Sequence, residues 1–464
     1  MNHWGKKDRQ YIWHPFTQMK EWEKTDPTII TEGKGVFLKD LQGRKYIDGT
    51  SSIWVNLHGH QKKQIDRAVI AQMAKFSHTT LLGLSHQPAI ILAEKLVKKA
   101  PKGLQGTRPL RKVFYSDNGS TAVEVALKLA FGFFQHTGLP RKKKFISFLS
   151  AYHGDTVGAV SLGGINLFHE FYRPLLFETI KAPAPYCYRC PLGLTYPACK
   201  MACVDEVEKI MEGHHHDVAG LVIEPVVLAA AGMITAPGGY LKKIRALCTR
   251  YNILLIADEV ATGFGRTGKF FACEHDHVSP DLMAVAKGMT GGYLPLSATL
   301  TTQEIYNAFL GDYSEFKTFF HGHSYTGNPL GCAAGIANLE IFEKEKTLKK
   351  IQPKIRFLKK ALRDIAQWKH VGEVRQAGMI VGIELVADCA NKTPYPLTLR
   401  IGHQVCEEAK KKGVLLRPLG NVIPVIPPLS ISLRDLKKLV HVVQEAIQKV
   451  TGEDWTTPKR IRQG

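Results

Sequence analysis

The sequence predicts an α/β protein built on a mostly parallel sheet, with a smaller α+β domain beside it. Three observations support this fold class. The chain has 464 residues, of which 44% are hydrophobic, so it is large enough to fill more than one core. Between residues 112 and 297, short apolar runs alternate with longer helical patterns, as in a parallel sheet with helices on both faces. After Gly331 the pattern becomes richer in helix.

The elements follow in chain order. A hairpin is predicted in GVFLKDLQGRKYID (35–48), with residues 40–43 as its turn. The strand candidates of the sheet are KVFYS (112–116), KFISFLS (144–150), GLVIEP (220–225), NILLIADEV (252–260), LMAVAKG (282–288) and PLSATL (295–300). The last part is predicted to contain helices to about residue 370, the runs GMIVGIELV (378–386) and GVLLRPLG (413–420), and a closing helix over 433–450.

These patterns predict three parts of the chain. Residues 1–62 form an N-terminal segment that packs with the small domain, and residues 63–330 form the large domain. Residues 331–464 form the small C-terminal domain. No internal repeat or low-complexity segment interrupts this organisation.

The charge of the chain raises a different class of function. The formal net charge is +21, from 62 Lys and Arg against 41 Asp and Glu, and such a balance suits a nucleic acid or an acidic membrane. The basic residues are dispersed along helical patterns, however, and no recognised nucleic-acid-binding motif occurs. No signal peptide or membrane span is indicated. We therefore expect a cytoplasmic protein that binds neither nucleic acid nor membrane.

Cysteine usage agrees with a reducing compartment. The chain has nine cysteines, an odd number without an export signal, which argues against a disulfide framework. Cys187, Cys190, Cys199 and Cys203 are clustered in CYRCPLGLTYPACKMAC. Their spacing is compatible with a tetrathiolate metal site. Because proline and glycine mark this stretch as an irregular loop, we expect a surface excursion that binds no metal.

One candidate ligand site lies where a strand passes into a helix. In an open α/β sheet, ligands bind beyond the carboxyl ends of the strands. The run VFYSDNGSTAVEVALKLA (113–130) leaves such a strand and starts a helix, with a capping box predicted between Thr121 and Glu124. Free backbone N–H groups at this start, around Gly119 and Ser120, would suit a phosphate group.

Two further strand ends carry charged residues. Asp258 and Glu259 end one apolar run, and Lys287 ends the next. A buried carboxylate needs a partner, so a structural salt bridge between Asp258 and Lys287 is the simplest explanation. The same residues also suit pyridoxal 5'-phosphate. Its aldehyde forms a Schiff base with a lysine, its ring nitrogen needs a carboxylate, and its phosphate needs a helix start. The three features together favour the cofactor site.

The run LLIADEVATGFGRTGKFFACEHDHVSPDLMAVAKGMTGG (254–292) resembles the signature of class III pyridoxal-phosphate aminotransferases. This resemblance implies fold type I, pyridoxal 5'-phosphate as the cofactor, no metal, and a homodimer with active sites at the subunit interface. Motifs similar to the branch of this family that acts in biotin synthesis extend over nearly the whole chain. They are IWHPFTQM (12–19), DGTSSIWVNLHGH (48–60), YHGDTVGAVS (152–161), FFHGHSYTGNPLGCAA (319–334) and RPLGNVIPVIPP (417–428).

Carried over by position, the resemblance implies a set of catalytic and cofactor-binding residues. Lys287 would hold the cofactor covalently and carry protons, and Asp258 would pair with the ring nitrogen. Gly119 and Ser120 would bind the cofactor phosphate. Tyr152 would lie against the cofactor ring, and both Tyr152 and Lys287 would border the substrate.

The resemblance also implies residues at the substrate and at the subunit boundary. Arg417 would bind the substrate carboxylate through its planar guanidinium, and Trp54 would wall the alkyl chain of the substrate. Ser324 would reach the phosphate of the neighbouring subunit's cofactor. Gly322 and His323 would shape the same loop, with Gly322 beside the substrate and His323 beside the cofactor.

The implied reaction is a two-stage transamination with ping-pong kinetics. The acceptor would be 8-amino-7-oxononanoate, and the donor would be S-adenosylmethionine, with lysine as the alternative. Relatives that use S-adenosylmethionine often have tyrosines at the positions of Phe16 and Pro424, and this chain has neither, which keeps lysine as a close alternative. Another class III ω-amine or diamine transaminase is the alternative within the family. Arg266 is either a second anion contact or a brace for its loop.

Overall fold

A seven-stranded sheet forms the centre of the large part of the chain. The computed structural model describes residues 2–104 and 108–452. Its strands are β1 (Ile30–Lys34), β2 (Phe37–Asp40), β3 (Lys45–Asp48), β4 (Leu110–Ser116), β5 (Lys144–Phe148), β6 (Ile180–Ala182), β7 (Val218–Ile223), β8 (Val227–Leu228), β9 (Ile234–Thr235), β10 (Leu254–Asp258), β11 (Leu282–Val285), β12 (Ser297–Thr302), β13 (Val371–Ala377), β14 (Ile380–Asp388), β15 (Thr393–Pro394), β16 (Val414–Leu415) and β17 (Val422–Val425). The central sheet has the order β4-β12-β11-β10-β7-β5-β6. Only β12 runs antiparallel to its neighbours, so the prediction of a mostly parallel sheet is confirmed.

Helices cover both faces of this sheet. The helices are α1 (His3–Tyr11), α2 (Met19–Trp22), α3 (Ser51–Trp54), α4 (Lys63–Met73), α5 (Gln87–Lys99), α6 (Gly119–His136), α7 (Val157–Leu162), α8 (Asn166–His169), α9 (Ala202–His214), α10 (Tyr240–Arg250), α11 (Gln303–Asn307), α12 (Pro329–Lys344), α13 (Thr347–Ile365), α14 (Ile401–Lys411) and α15 (Leu433–Thr451). Along β10, Leu254 and Ile256 pack in the cluster that contains α6, whereas Leu255 and Ala257 pack in the cluster that contains α10. This alternation follows from the two-residue period of a strand. Among the described helices, none has the length and apolar character needed to cross a membrane.

The predicted strands of the large sheet are all present, as β4, β5, β7, β10, β11 and β12. The predicted hairpin is also present, with β2 and β3 antiparallel and Phe37 opposite Ile47. Its turn is closed by the Gly43 N–H, which donates to the Asp40 carbonyl at 2.9 Å. The run 413–420 contains only the short strand β16, because Arg417 and then Pro418, which lacks an N–H, leave the sheet.

The first sixty residues contact the C-terminal part of the chain. β3 pairs in parallel with β16, with Ile47 opposite Val414. The smaller part also contains an antiparallel sheet of β13, β14, β15 and β17. The boundaries 1–62, 63–330 and 331–464 stay predictions, and residues 1, 105–107 and 453–464 of those parts lie outside the described residues.

A capping box starts α6, but the prediction assigned it to the wrong residues. The box is formed by Asn118, whose side chain accepts from the Thr121 N–H at 3.1 Å, and by Thr121, whose hydroxyl accepts from the Asn118 N–H at 3.2 Å. Glu124 lies one turn further on and accepts from the Thr156 hydroxyl at 2.6 Å and the Gly158 N–H at 2.8 Å. Asparagine is a stronger N-cap than threonine, so the helix starts one turn earlier than the prediction required.

The four clustered cysteines line one small cavity together with mostly apolar residues such as Leu192 and Met201. The loop that carries these cysteines contacts β14, because Arg189 Nε donates a hydrogen bond to Glu384 Oε1 at 2.8 Å. Burial, together with the neighbouring thiols, raises the pKa of the Cys203 thiol to about 11. In the described part of the chain, no group of three or more His, Cys, Asp or Glu residues could hold a metal ion. That the excursion binds no metal stays a prediction.

Candidate active site

Three neighbouring strands end in ionisable side chains at one edge of the central sheet. Asp258 is the last residue of β10, Glu224 directly follows β7, and Lys287 comes two residues after β11. β10 lies between β7 and β11 and is parallel to both, so all three carboxyl ends meet at the same edge. The strand order therefore agrees with the expectation, made from sequence spacing, that Asp258 and Lys287 lie at the same edge of the sheet.

The partner of Asp258 is a histidine rather than Lys287. His153 Nδ1 lies 2.7 Å from Asp258 Oδ2, and the Val260 N–H donates to Asp258 Oδ1 at 3.0 Å. The structural alternative to a cofactor site, a salt bridge with Lys287, is therefore not the arrangement found. The other ring nitrogen of His153, Nε2, is buried and has no hydrogen-bond partner among the described residues. His153 therefore fixes the orientation of the Asp258 carboxylate through Nδ1, while its own Nε2 has no partner among the described residues.

Lys287 has its ammonium in an environment that disfavours the charged form. Its backbone has φ +43°, and its Nζ lies 4.5 Å from the centroid of the Trp54 ring. Burial lowers the pKa of Lys287, while the charges of Asp258 and Glu224 oppose that effect. A lowered pKa favours the uncharged amine, which is the form that acts as a nucleophile or base.

Trp54 is presented by a turn of left-handed backbone. All four residues of α3 have positive φ, between 49° and 68°, although none is glycine. Such residues cost roughly 1–2 kcal/mol each relative to a right-handed conformation. The Ser51 hydroxyl donates to the Ile426 carbonyl at 2.6 Å, and the Ser52 hydroxyl donates to Asp48 at 2.7 Å. These bonds hold a strained turn at the site, a common property of functional segments.

Arg266 is the brace of this turn. Its Nη1 donates to the Pro427 carbonyl at 2.9 Å, and its Nη2 donates to the carbonyls of Trp54 at 3.1 Å and Asn56 at 3.0 Å. The side chain is 1% exposed, and burial lowers its pKa to about 9. Of the two roles open from the sequence, the contacts favour the brace.

Tyr152 and Arg417 meet at the mouth of the site. The Tyr152 hydroxyl donates to Asp155 Oδ2 at 2.7 Å. Burial raises the pKa of Tyr152 well above its usual value, the bond to Asp155 adds to that effect, and the positive charge of Arg417 opposes it. The exposed guanidinium of Arg417 lies 5.7 Å from the centroid of the Phe16 ring. Phe168 packs edge-on against both Phe16 and Tyr152, so these aromatic rings form one wall.

The start of α6 is packed too closely for larger residues. A Cβ added to Gly119 would lie 2.7 Å from Val260, and one added to Gly154 would lie 1.9 Å from the Ser120 hydroxyl. Ser120 Oγ accepts a hydrogen bond from the Asp155 N–H at 3.1 Å. The first turn of this 18-residue helix thus lies against the loop that carries Tyr152 and beside the residues that follow Asp258.

Gly322, His323 and Ser324 lie apart from this cluster. Ser324 is exposed, and its carbonyl accepts from His78 Nε2 at 2.7 Å. The same loop is bonded to Lys128, whose Nζ donates to the Phe320 carbonyl at 3.0 Å. Among the described residues, the loop makes these contacts rather than contacts with the cluster around Asp258.

Sequence reasoning did not select His153 or Glu224. His153 is inside the quoted YHGDT motif directly after Tyr152, so its position was available but its bond to a strand 105 residues away was not. Glu224 ends the run GLVIEP in the same way that Asp258 ends NILLIAD, and this parallel was the available signal.

The chemistry of the site matches one cofactor. Pyridoxal 5'-phosphate brings an aldehyde, a ring nitrogen and a phosphate, and the site offers an amine with a lowered pKa, an oriented carboxylate and a helix start without bulky side chains. The unpaired, buried Nε2 of His153 agrees with a further group in this cleft. The fold and the site thus define a pyridoxal-phosphate-dependent enzyme. Comparison with known proteins narrows this class: the chain belongs to the class-III aminotransferase family, which it matches over residues 18–447.

Similar proteins cover nearly the whole chain. The adenosylmethionine-8-amino-7-oxononanoate aminotransferase of Geobacter sulfurreducens is 56% identical, over 96% of this chain and 97% of the relative. The crystal structure of the enzyme of that name from Methanocaldococcus jannaschii superposes with a TM-score of 0.91 at 46% identity, covering 96% of this chain and 98% of that one. An omega transaminase from Pseudomonas jessenii in complex with PMP gives 0.92 at 30% identity, covering 97% and 99%. The protein is an aminotransferase that uses pyridoxal 5'-phosphate.

Proposed function

We propose that this enzyme transfers an amino group from S-adenosylmethionine to 8-amino-7-oxononanoate, giving 7,8-diaminononanoate in biotin synthesis. The observation that carries the proposal is the near-complete match to relatives that bear this activity in their names, at up to 56% identity. The position of Arg417 beside Tyr152 and Phe16 supports a carboxylate-bearing substrate at the mouth of the site. We further propose that the enzyme acts in the cytoplasm as a homodimer.

The residues of this chain have separate roles in the proposed reaction. When bound, the cofactor supplies an electron sink for the carbon that loses its proton. Lys287 attaches the cofactor and, as a base with a lowered pKa, moves the proton at the reacting carbon. Asp258, oriented by His153, holds a negative charge for the ring nitrogen. Gly119 and Ser120 offer backbone N–H groups at the start of α6 to the phosphate.

The substrate is held at the opposite side of the site. Arg417 binds its carboxylate, since a guanidinium matches a carboxylate with two parallel bonds. Tyr152 orients the reacting end, and Trp54 excludes water along the alkyl chain. Because both amino donor and acceptor use this one cleft, they bind in turn, which gives ping-pong kinetics.

An exposed apolar groove supports the homodimer. It has a volume of about 1030 Å³ and lies between α4, α5 and α12. Its lining includes Ile90, Ile91 and Phe76, which are 58%, 40% and 37% exposed. His78 lines the same groove and bonds the Ser324 carbonyl, so the groove is continuous with the loop of Ser324. A second copy of the chain would cover this surface and bring Ser324, Gly322 and His323 to the partner's cofactor.

The donor is tested by a half-reaction. The purified enzyme is mixed with S-adenosylmethionine, lysine or a simple alkyl amine, without acceptor, and the visible absorption of the cofactor is followed. We expect loss of the band with S-adenosylmethionine. If only lysine removes the absorption band, S-adenosylmethionine is the wrong donor. If only the alkyl amine removes the band, an ω-amine transaminase is the better assignment. Phe16→Tyr is the matched variant, because it restores the hydroxyl that many relatives have at this position.

The acceptor is tested in the second half. Enzyme already charged with amino groups should regain its visible band on addition of 8-amino-7-oxononanoate. Arg417→Lys should raise KM for this acceptor by about 10-fold or more, because a bidentate contact is lost while the charge is kept. An unchanged KM would contradict the role of Arg417.

A further inference from the structure

Glu224 is a buried carboxyl at the edge of the active site to which none of the roles above is assigned. Its side chain is 6% exposed. Glu224 Oε1 accepts from the Tyr152 N–H at 3.1 Å, and Oε2 accepts from the Ala229 N–H at 2.9 Å. In the described part of the chain, no lysine or arginine forms a salt bridge with it. Its two bonds instead join the loop after β5 to the loop after β7.

The backbone next to Glu224 is strained. Val226 has φ +68°, which is unusual for a β-branched residue, and the Val227 N–H donates to the Pro225 carbonyl at 2.8 Å in a three-residue turn. The bond from Ala229 to Glu224 closes the loop around this turn. Strained backbone that is held by a buried polar side chain is characteristic of functional sites.

Three ionisable groups face Glu224, each from a different element. They are His153 from the loop before α7, Asp258 from the end of β10, and Lys287 from the turn after β11. Burial raises the pKa of Glu224 to about 7, His153 opposes this shift, and the charge of Asp258 adds to it. Asp258 and Glu224 are thus two neighbouring carboxyls in different environments. Only Asp258 has an imidazole donor.

We propose that Glu224 is a positioning residue that fixes the backbone of Tyr152 and, through its charge, sets the electrostatic potential at the His153–Asp258 pair beside the cofactor. Below neutral pH the uncharged Glu224 adds no charge to this edge of the sheet. Above neutral pH the ionised Glu224 adds a negative charge. That charge favours the protonated forms of Lys287 and the ring nitrogen. The inference rests on the proposed cofactor site but on no particular substrate.

The test follows His153 directly in the holoenzyme. Protein labelled with ¹⁵N in its histidines is titrated by NMR between about pH 5.5 and 8.5, around the pKa of about 7 for Glu224. The His153 signals are assigned by their loss in His153→Gln. In wild type we expect an inflection near that pH. Glu224→Gln should remove it, Glu224→Asp should keep it, and the matched control Glu259→Gln, another buried carboxyl, should not change it.

A second readout uses the cofactor itself. The pH midpoint of the visible absorption band should fall by about half a unit or more in Glu224→Gln, because a nearby negative charge is removed, and Glu224→Asp should retain it. An inflection that persists unchanged in Glu224→Gln, or a band midpoint equal to that of wild type, overturns the proposal.

The test stays decisive if Glu224→Gln does not fold. In that case a wild-type titration of His153 without an inflection near neutral pH overturns the proposal, and an inflection that Glu224→Asp retains supports it. No substrate is present in these titrations, so a wrong substrate assignment leaves them unaffected. The two proposals therefore fail separately.

Discussion

The buried cluster at the strand ends (Asp258, His153, Lys287 and Glu224) is here called the strand-end cluster. It differs from the loop of Gly322, His323 and Ser324 beside the groove in how complete each is within one chain. Asp258, His153, Lys287 and Glu224 are buried or enclosed, and their polar groups are mostly satisfied by neighbours in the same subunit. Ser324, by contrast, is exposed on a loop at the rim of an apolar groove. In the proposed function, one chain supplies the residues of the chemistry, whereas the second region acts only beside another copy. Changes in the first region should abolish catalysis, and changes in the second should act through assembly.

The largest effect is expected from Lys287→Ala. Turnover should fall by about 10⁴-fold, because attachment of the cofactor and proton transfer are lost together. The thermal midpoint should not fall, since the side chain that is removed is a buried cation. Lys181 is the matched control, because it is also half-buried with a pKa lowered to about 8, but its Nζ bonds the Ser161 and Leu162 carbonyls. Lys181→Met should lower stability by about 1–3 kcal/mol and spare turnover in the folded fraction.

If Lys287→Ala retained more than a hundredth of the activity, the strand-end cluster would not be the centre of the reaction. A steady-state assay together with thermal unfolding separates the two lysines. The contrast is informative because both side chains are half-buried and differ mainly in what surrounds the ammonium.

An intermediate effect is expected from Ile90→Glu in the groove. A charge on this apolar surface should weaken the homodimer, and cofactor retention and activity should then fall on dilution by about 10-fold or more. Exposed Leu167, which does not line the groove, gives the control Leu167→Glu. Sedimentation combined with cofactor absorbance checks both variants. A fully active monomer would show that activity does not need the groove, and would contradict the proposal that the loop of Ser324 acts through assembly.

How far the sequence could predict this site depends on the kind of contact. Asp258 and Lys287 end adjacent apolar runs, and the register of a parallel sheet then brings them together. Their local spacing was therefore sufficient. The bond of Asp258 to His153 was not predictable, because it depends on β7 lying between β5 and β10 in the sheet. The structural alternative to a cofactor site, a salt bridge between Asp258 and Lys287, is not the arrangement that the structure shows.

Backbone conformations that oppose residue propensity also could not be predicted from the sequence. Ser51–Trp54 is a left-handed turn without glycine, held by hydrogen bonds to residues as distant as Ile426 and Arg266. No local pattern encodes such a turn, since its stability comes from tertiary contacts. The raised pKa of Glu224 likewise follows from burial that only the packed structure reveals.

The smallest effect is expected from the cysteine excursion, which belongs to neither region. Cys187→Ser combined with Cys199→Ser should change turnover by less than about 2-fold, because transamination needs no metal. Metal analysis of the purified wild-type enzyme should find no stoichiometric zinc or iron. A stoichiometric metal whose removal unfolds the protein would reverse this expectation.

The central claim is that the enclosed strand-end cluster, through Lys287, holds the cofactor. Borohydride reduction of the holoenzyme, followed by peptide mass mapping, tests it most directly, because reduction makes the attachment permanent at one residue. Lys142 and Lys181 are the internal comparisons, since burial lowers the pKa of each to about 8 but each is bonded to backbone carbonyls. The expected result is a cofactor tag on the peptide that contains Lys287 and on no other. A tag on Lys142, Lys181 or any other lysine would contradict the claim.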